Sequence, residues 1–377
     1  MKTNFTLILL FMLAFASAQQ LAVVGKGKNF GYMDSSGKIV IPIEYKAAGN
    51  FSDGLAAVNI NGKWGFINSS GTIVIEPKFD KVKAFNSGLA VVESNKNWMY
   101  IDKYGNEVSG FPASDKKYDF EDGIAFIRQA DKVGFMDTKG KVILEPTYKD
   151  IKPFYKGWAK FSENDKWGLL SKDGKVFIPA EYDEINVSDN KIIIAKKGTD
   201  WGIIGSDKSF KKVDGASKIW EFYGENATLT YAKKDDKIGF IDTKGDWAIE
   251  PKFEKARAFN QGLAPVFMDK KWGYIDTSGN MVIPVQFKDA ETFSHDGLAP
   301  VKKDKMWGFI DKTGNMVIPD QYDISVALFG MFQDGGEKGF INGLARVKNK
   351  KQWGFINKSG QVVGEWFDNA EIFSDAK

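Results

Sequence analysis

The stretch Trp272-Gly273-Tyr274-Ile275-Asp276-Thr277-Ser278-Gly279-Asn280-Met281-Val282-Ile283-Pro284 recurs in near-copies along the whole chain, and this repeat constrains the fold more than any other feature. Gly31, Gly65, Met99, Gly134, Gly168, Gly202, Gly239, Gly273, Gly308 and Gly354 hold its second position, giving ten copies. Their mean spacing of about 36 residues is that of tandem arrays, in which each unit buries its face against its neighbours. A chain of 377 residues is too long for one ordinary core. The repeat removes the need for separate domains.

Within one copy, Trp272, Tyr274 and Asp276 share one face of a strand, and Gly273 and Ile275 share the other. Asp276-Thr277-Ser278-Gly279 places an acceptor and then a glycine where a type I turn with a bulge needs them. Val282-Ile283 start the returning strand, and Pro284 is expected to end its pairing, because proline has no N–H to donate. A third strand precedes the hairpin, as in Gly262-Leu263-Ala264-Pro265-Val266 and Gly343-Leu344-Ala345-Arg346-Val347. Proline or arginine at its fourth position predicts an open or irregular edge there, with the side chain reaching solvent. A short link bearing an aromatic, such as Ala258-Phe259, joins one copy to the next.

The fold expected is therefore all-β, an array of about ten three-stranded antiparallel units stacked as an open superhelix. Propeller-like closure is the alternative. Uneven spacing argues against ring symmetry, since the pattern degenerates around residues 203–236 and an insertion falls around residues 325–340. The last copy ends Val362-Val363-Gly364-Glu365-Trp366 without the proline, as a terminal cap would.

Hydrophobic content of 43% excludes a disordered chain. The net charge of +3, from 52 basic and 49 acidic residues interspersed along the chain, lacks the basic stripe of a nucleic-acid binder. Residues 1–18 read as a signal peptide: Lys2, the apolar run Phe5 to Phe15, and Ala16-Ser17-Ala18 before a mature start at Gln19. That run is too short to span a bilayer, and no later stretch is apolar enough to do so. The repeat array, residues 19–377, is thus expected in the periplasm or outside the cell. It contains no cysteine, so stability must come from packing.

Trp-Gly-aromatic-Ile-Asp, a turn glycine, Val-Ile-Pro and Gly-Leu-Ala at this period resemble the WG-repeat (KWG) family of bacterial proteins over nearly all of residues 28–373. The resemblance implies a β-rich repeat protein, often exported or in the envelope, with a binding or scaffolding role. It brings no catalytic residues with it.

The motif tryptophans Trp64, Trp98, Trp167, Trp201, Trp272, Trp307 and Trp353 could form a ladder of sugar-stacking platforms. Phe30, Val133 and Ile238 replace them elsewhere, and an aliphatic preserves burial but not stacking, so core packing is favoured. The candidate binding residues are those off the motif position: Trp158, Trp220, Trp247 and Trp366, with Phe329, Met331 and Phe332 in the insertion. The turn acids Asp34, Asp102, Asp137, Asp242, Asp276 and Asp311 could suggest a calcium column. Each repeat offers one carboxylate where calcium needs six or more oxygens, and Asn68, Asn357 and Ser171 substitute freely, so turn capping is the reading. His295 is the only histidine, and without a second histidine or a cysteine it makes neither a metal site nor a catalytic dyad. No cofactor or metal is expected. The expected function is a non-enzymatic binding module for a protein or an envelope glycan, with a purely structural scaffold as alternative. A carboxylate-based glycoside hydrolase is a third reading, and no acid departs from the repeat as a poised pair would.

Overall fold

The computed structural model describes residues 19–324 and 339–376. The signal peptide and the insertion residues Phe329, Met331 and Phe332 lie outside them. Ten antiparallel sheets follow one another, and each is a blade. Blade eight shows the plan: Lys255–Ala256, Leu263–Met268, Lys271–Asp276 and Met281–Phe287, hydrogen-bonded in that order. The unit is thus four-stranded rather than three-stranded. The additional strand is the two-residue start of the link, paired Lys255↔Phe267 and Ala256↔Val266. It is too short to carry an alternating pattern. Among the described residues only blade four keeps three strands, Ile124–Gln129, Lys132–Asp137 and Val142–Tyr148.

The array closes into a ten-bladed propeller, which corrects the expectation of an open superhelix. Blade one takes its short strand, Asn369–Ala370, from the far end of the chain, paired Val24↔Ala370 and Gly25↔Asn369. Ser374–Asp375 pairs with the start of the same strand, Gln20↔Asp375 and Leu21↔Ser374. The amide of Glu371 donates to the Val23 carbonyl at 2.8 Å, copying the bond from Arg257 to Pro265 inside blade eight. The hydrophobic core is also continuous across the seam, where Ala22, Val24 and Met33 pack with Phe355 and Phe367. Ring closure tolerates the irregular spacing because each blade keeps its central antiparallel hairpin. In blade six the outer strand is reduced to Phe210–Lys212, while the central hairpin keeps its register from Ile193↔Ile204 to Lys197↔Asp200.

The two faces read from the sequence serve two different neighbours. Trp272 and Tyr274 enter the core between blades eight and nine, with Phe293 and Val301, whereas Ile275 enters the core between seven and eight, with Phe240 and Phe253. The Tyr274 hydroxyl donates to the Glu291 carbonyl of blade nine at 2.8 Å, and Tyr32 does the same to Gly49 of blade two. Each bond stitches one blade to the link of the next.

Gly273 does not face a neighbouring blade. A Cβ there would lie 2.6 Å from the Ile283 carbonyl oxygen of its own hairpin partner. The outer strand bulges at this point, stepping from Phe287↔Trp272 to Ile283↔Tyr274. Pro284 therefore sits inside a bulge and does not end the strand, which runs on to Phe287. Blade three confirms the cause. Its outer strand stops at Glu107–Val108 before any bulge, and there Met99 replaces the glycine.

The links mark the axis of the ring. Lys156 of blade five reaches Glu225 of blade seven at 3.1 Å, a span of two blades that is possible only where blades converge. Strands of the Met281–Phe287 type form the outer rim, with Ile73, Val176, Val282 and Val362 exposed along it. Among the described residues no helix is long and apolar enough to cross a membrane.

Candidate functional site

The motif tryptophans differ in how deeply they are set. Trp201, Trp272 and Trp307 are buried, Trp64, Trp167 and Trp353 are half-buried, and Trp98 is 40% exposed. Core packing therefore describes three of them fully and the others in part. What unites most of them is a cation over the ring. Lys81 stands over Trp98 at 5.7 Å, Lys152 over Trp167 at 5.5 Å, Lys218 over Trp201 at 4.6 Å and Arg257 over Trp272 at 4.9 Å. Lys302 covers Trp307 at 5.7 Å, and Arg346 covers Trp353 at 4.6 Å. A cation within about 6 Å of an indole centroid is attracted by the ring quadrupole.

These cations come mainly from two places. One is the residue directly across the hairpin from the tryptophan, as in Lys302↔Trp307 and Lys348↔Trp353. The other is the short strand or the residue just after it, as in Lys81, Lys152 and Arg257. Blade two has neither. Asn59 pairs with Trp64, and Gly49 follows the short strand Ala47–Ala48. Lys46 is drawn away to Asn29 Oδ1 at 3.0 Å. Trp64 is the one motif tryptophan without a cation over its ring among the described residues.

A cavity of about 620 Å³ opens beside it, where the links of blades one, two and three converge. Trp64, Phe51 and Phe373 supply aromatic wall, Gly49 and Ala57 leave space, and Asp375 supplies a carboxylate. This volume is within the usual range for ligand pockets. Gln20 donates an amide hydrogen to Asp375 Oδ1 at 3.1 Å, and the Phe51 amide donates to Ser374 Oγ at 3.2 Å. The cavity is thus partly a product of ring closure. A second cavity of about 430 Å³, lined by Arg128, Asp150, Ser162 and Trp167, lies between blades four and five, but Lys152 already covers that tryptophan.

The tryptophans singled out off the motif position do not come together. Trp158 stacks on Phe177 at 3.9 Å, and Trp220 stacks on Tyr231 at 4.7 Å. Trp247 donates its indole N–H to the Asp214 carbonyl at 3.0 Å. Trp366 lies over Gly354, where a Cβ would come within 2.7 Å of its ring. All four are half-buried and held by their own blades or a neighbour. The turn acids cap turns: Asp276 Oδ1 accepts the amides of Ser278 and Asn280, both at 2.9 Å. These bonds hold the Asp276 carboxyl below the usual range. His295 is exposed in the link of blade nine. The fourth-position side chains do not reach solvent as expected. Pro265 and Pro300 are buried, and Arg346 packs on Trp353 while donating to the Ala370 carbonyl at 2.8 Å.

Trp64 was legible only as one repeat among many. The signal that distinguishes it is Gly49, read against Lys152 and Arg257 at the same place in blades five and eight.

No curated protein sequence matches the chain. The solved structure described as the eukaryotic initiation factor is similar over 95% of this chain and 98% of its own, with a TM-score of 0.53 at 10% identity. This is a likeness of fold alone. Looser likenesses are Hsv2p of Kluyveromyces lactis, with a TM-score of 0.30 at 9% identity over 60% of this chain and 91% of that one, and the dihydro-heme d1 dehydrogenase NirN, with 0.34 at 12% over 71% and 73%. The family model for the WG containing repeat matches residues 30–64, 64–98, 134–167, 167–199, 238–272, 272–307 and 307–324, more than half of the chain. The protein belongs to the WG-repeat family.

Proposed function

We propose that this protein is a non-enzymatic binding module, exported after removal of residues 1–18, that holds a protein or an envelope glycan at the convergence of blades one, two and three. The observation that carries this reading is the uncovered indole of Trp64 in a cavity of about 620 Å³. A pocket with aromatic walls and a few polar groups is the ordinary form of a binding site. The turn acids support a role without catalysis, since their oxygens are taken by backbone amides of their own turns.

The test uses residues 19–377 as bait against envelope fractions and a glycan array, beside the Trp64→Leu variant. Retention of a ligand by the parent and its loss in the variant is expected. A ligand retained equally by both would move the site elsewhere, and no ligand at all would favour a purely structural scaffold. Release of reducing ends from an envelope glycan would overturn the non-enzymatic reading.

A further inference from the structure

We infer that the site over Trp64 receives a cation carried on a flexible stem, the guanidinium or ammonium of an arginine or lysine side chain on a partner polypeptide. The inference rests on the binding reading above and names the chemistry of its ligand. Its ground is internal to the molecule. In six other blades the same indole position is covered by a lysine or arginine, at 4.6 to 5.7 Å. Blade two alone presents the ring and withholds the cation.

The missing group has a definite place. Arg257 leaves the chain from the residue after its short strand, where its amide donates to Pro265 at 3.0 Å and its guanidinium turns back over Trp272. Gly49 occupies that same place in blade two, and its amide donates to Ala57 at 2.8 Å. Its carbonyl is fixed by the Tyr32 hydroxyl at 2.8 Å. A Cβ at Gly49 would meet nothing nearer than 3.8 Å, so neither sterics nor backbone conformation demands glycine there. What glycine leaves is space over an electron-rich ring.

The walls suit a cation. Phe51 and Phe373 stand with Trp64, and Asp375 offers the negative charge that would balance an arriving guanidinium. Lys83, the one lysine on the wall, is held by Asp119 of blade four at 3.0 Å and does not cover Trp64. Ile372, 37% exposed at the rim, can carry the aliphatic stem of a long side chain.

The experiment titrates the mature chain with N-acetyl-arginine methylamide, with its neutral isostere N-acetyl-citrulline methylamide, and with chitotriose. The readout is the indole N–H resonance of Trp64, assigned by its loss in Trp64→Phe. The arginine derivative should shift that resonance and bind roughly tenfold more tightly than citrulline. Gly49→Arg should supply the cation internally, weakening ligand binding at least roughly tenfold while leaving the Tm equal or higher. Equal binding of arginine and citrulline, or undiminished binding by a folded Gly49→Arg variant, would overturn the inference. Binding of chitotriose alone would also overturn it, while leaving the binding-module reading intact. Silence of all three probes together with an empty envelope screen would sink both.

Discussion

Gly37 and Gly364 meet backbone to backbone where blade ten adjoins blade one. In five blades the turn glycine packs on an isoleucine of the preceding outer strand, as Gly279 does on Ile249 and Gly314 on Ile283. At the seam the turn glycine Gly37 instead meets Gly364, the residue after Val363, which is the one paired with Phe355. The departure of the last copy from the repeat is therefore a fitted seam and not a terminal cap.

Gly364→Ile should thus destabilise the ring. A Cβ at 364 would lie 2.8 Å from the Gly37 carbonyl oxygen and 2.9 Å from Met33 Sδ, at a φ of 79°. Strained backbone alone costs about 1–3 kcal/mol, and overlap adds to it. Hydrogen exchange should show the loss at Leu21–Val24. Unchanged protection there would contradict the seam.

Gly273→Ala should destabilise blade eight by about 1–3 kcal/mol, because its Cβ collides with the carbonyl of a bulged strand. Met99→Gly should relieve no such clash, since blade three has no bulge to accommodate. Urea denaturation of the two variants gives the comparison, and a harmless Gly273→Ala would refute the bulge as the reason for the repeated glycine.

Trp272→Ala should cost roughly 3–5 kcal/mol, as other large-to-small aromatic changes in cores do. The lost protection should centre on blades eight and nine, whose shared core holds this ring. Trp272→Phe should be mild, for Phe30 fills that position in blade one. Unaltered exchange at Tyr274 and Ile275 in the alanine variant would remove Trp272 from the core.

Stability should form a plateau in pH with two edges. Asp173 is held at about 2, first by the hydrogen bond from Lys175 and then by that from Ser171. A depressed carboxyl stabilises the fold above its unfolded value and loses that contribution as pH falls through the folded one, here from about 4 towards 2. Burial pushes the Tyr182 hydroxyl up to about 12 and raises Tyr32, Tyr100 and Tyr274 further. A raised group stabilises below its unfolded value and loses that contribution as pH climbs through the folded one, so the alkaline edge begins above about 10. A Tm that drops steeply between about pH 5 and 9 would contradict both assignments.

The central hairpin was legible because its chemistry is local. Alternation separated Trp272 and Tyr274 from Ile275, and the cores on either side of the blade bear out that division. The short strand was not legible, since two residues such as Lys255–Ala256 carry no period. Closure was read only as the alternative to an open superhelix, because Leu21 and Ser374 pair across nearly the whole chain. A trace of it was present all the same. Asp368-Asn369-Ala370 resembles Lys288-Asp289-Ala290 with no strand of the Leu-Ala type after it, and Leu21-Ala22-Val23 is such a strand with nothing before it. The cavity over Trp64 depends on what Gly49 lacks, and a missing side chain leaves no motif.

The shared blade also sets an order of events. Pairing Leu21 with Ser374 closes a loop of most of the chain, yet loop entropy grows only by about 0.6 kcal/mol per doubling of length. Sequence distance therefore adds little to the equilibrium and much to the contact order. Blades two to ten can form from neighbours made in succession, whereas blade one waits for Asn369–Ala370. Completion of the ring is then expected to come last in folding. An array with two free ends unravels from them; once this one has closed, every blade is flanked on both sides, and unfolding must begin by opening an interior.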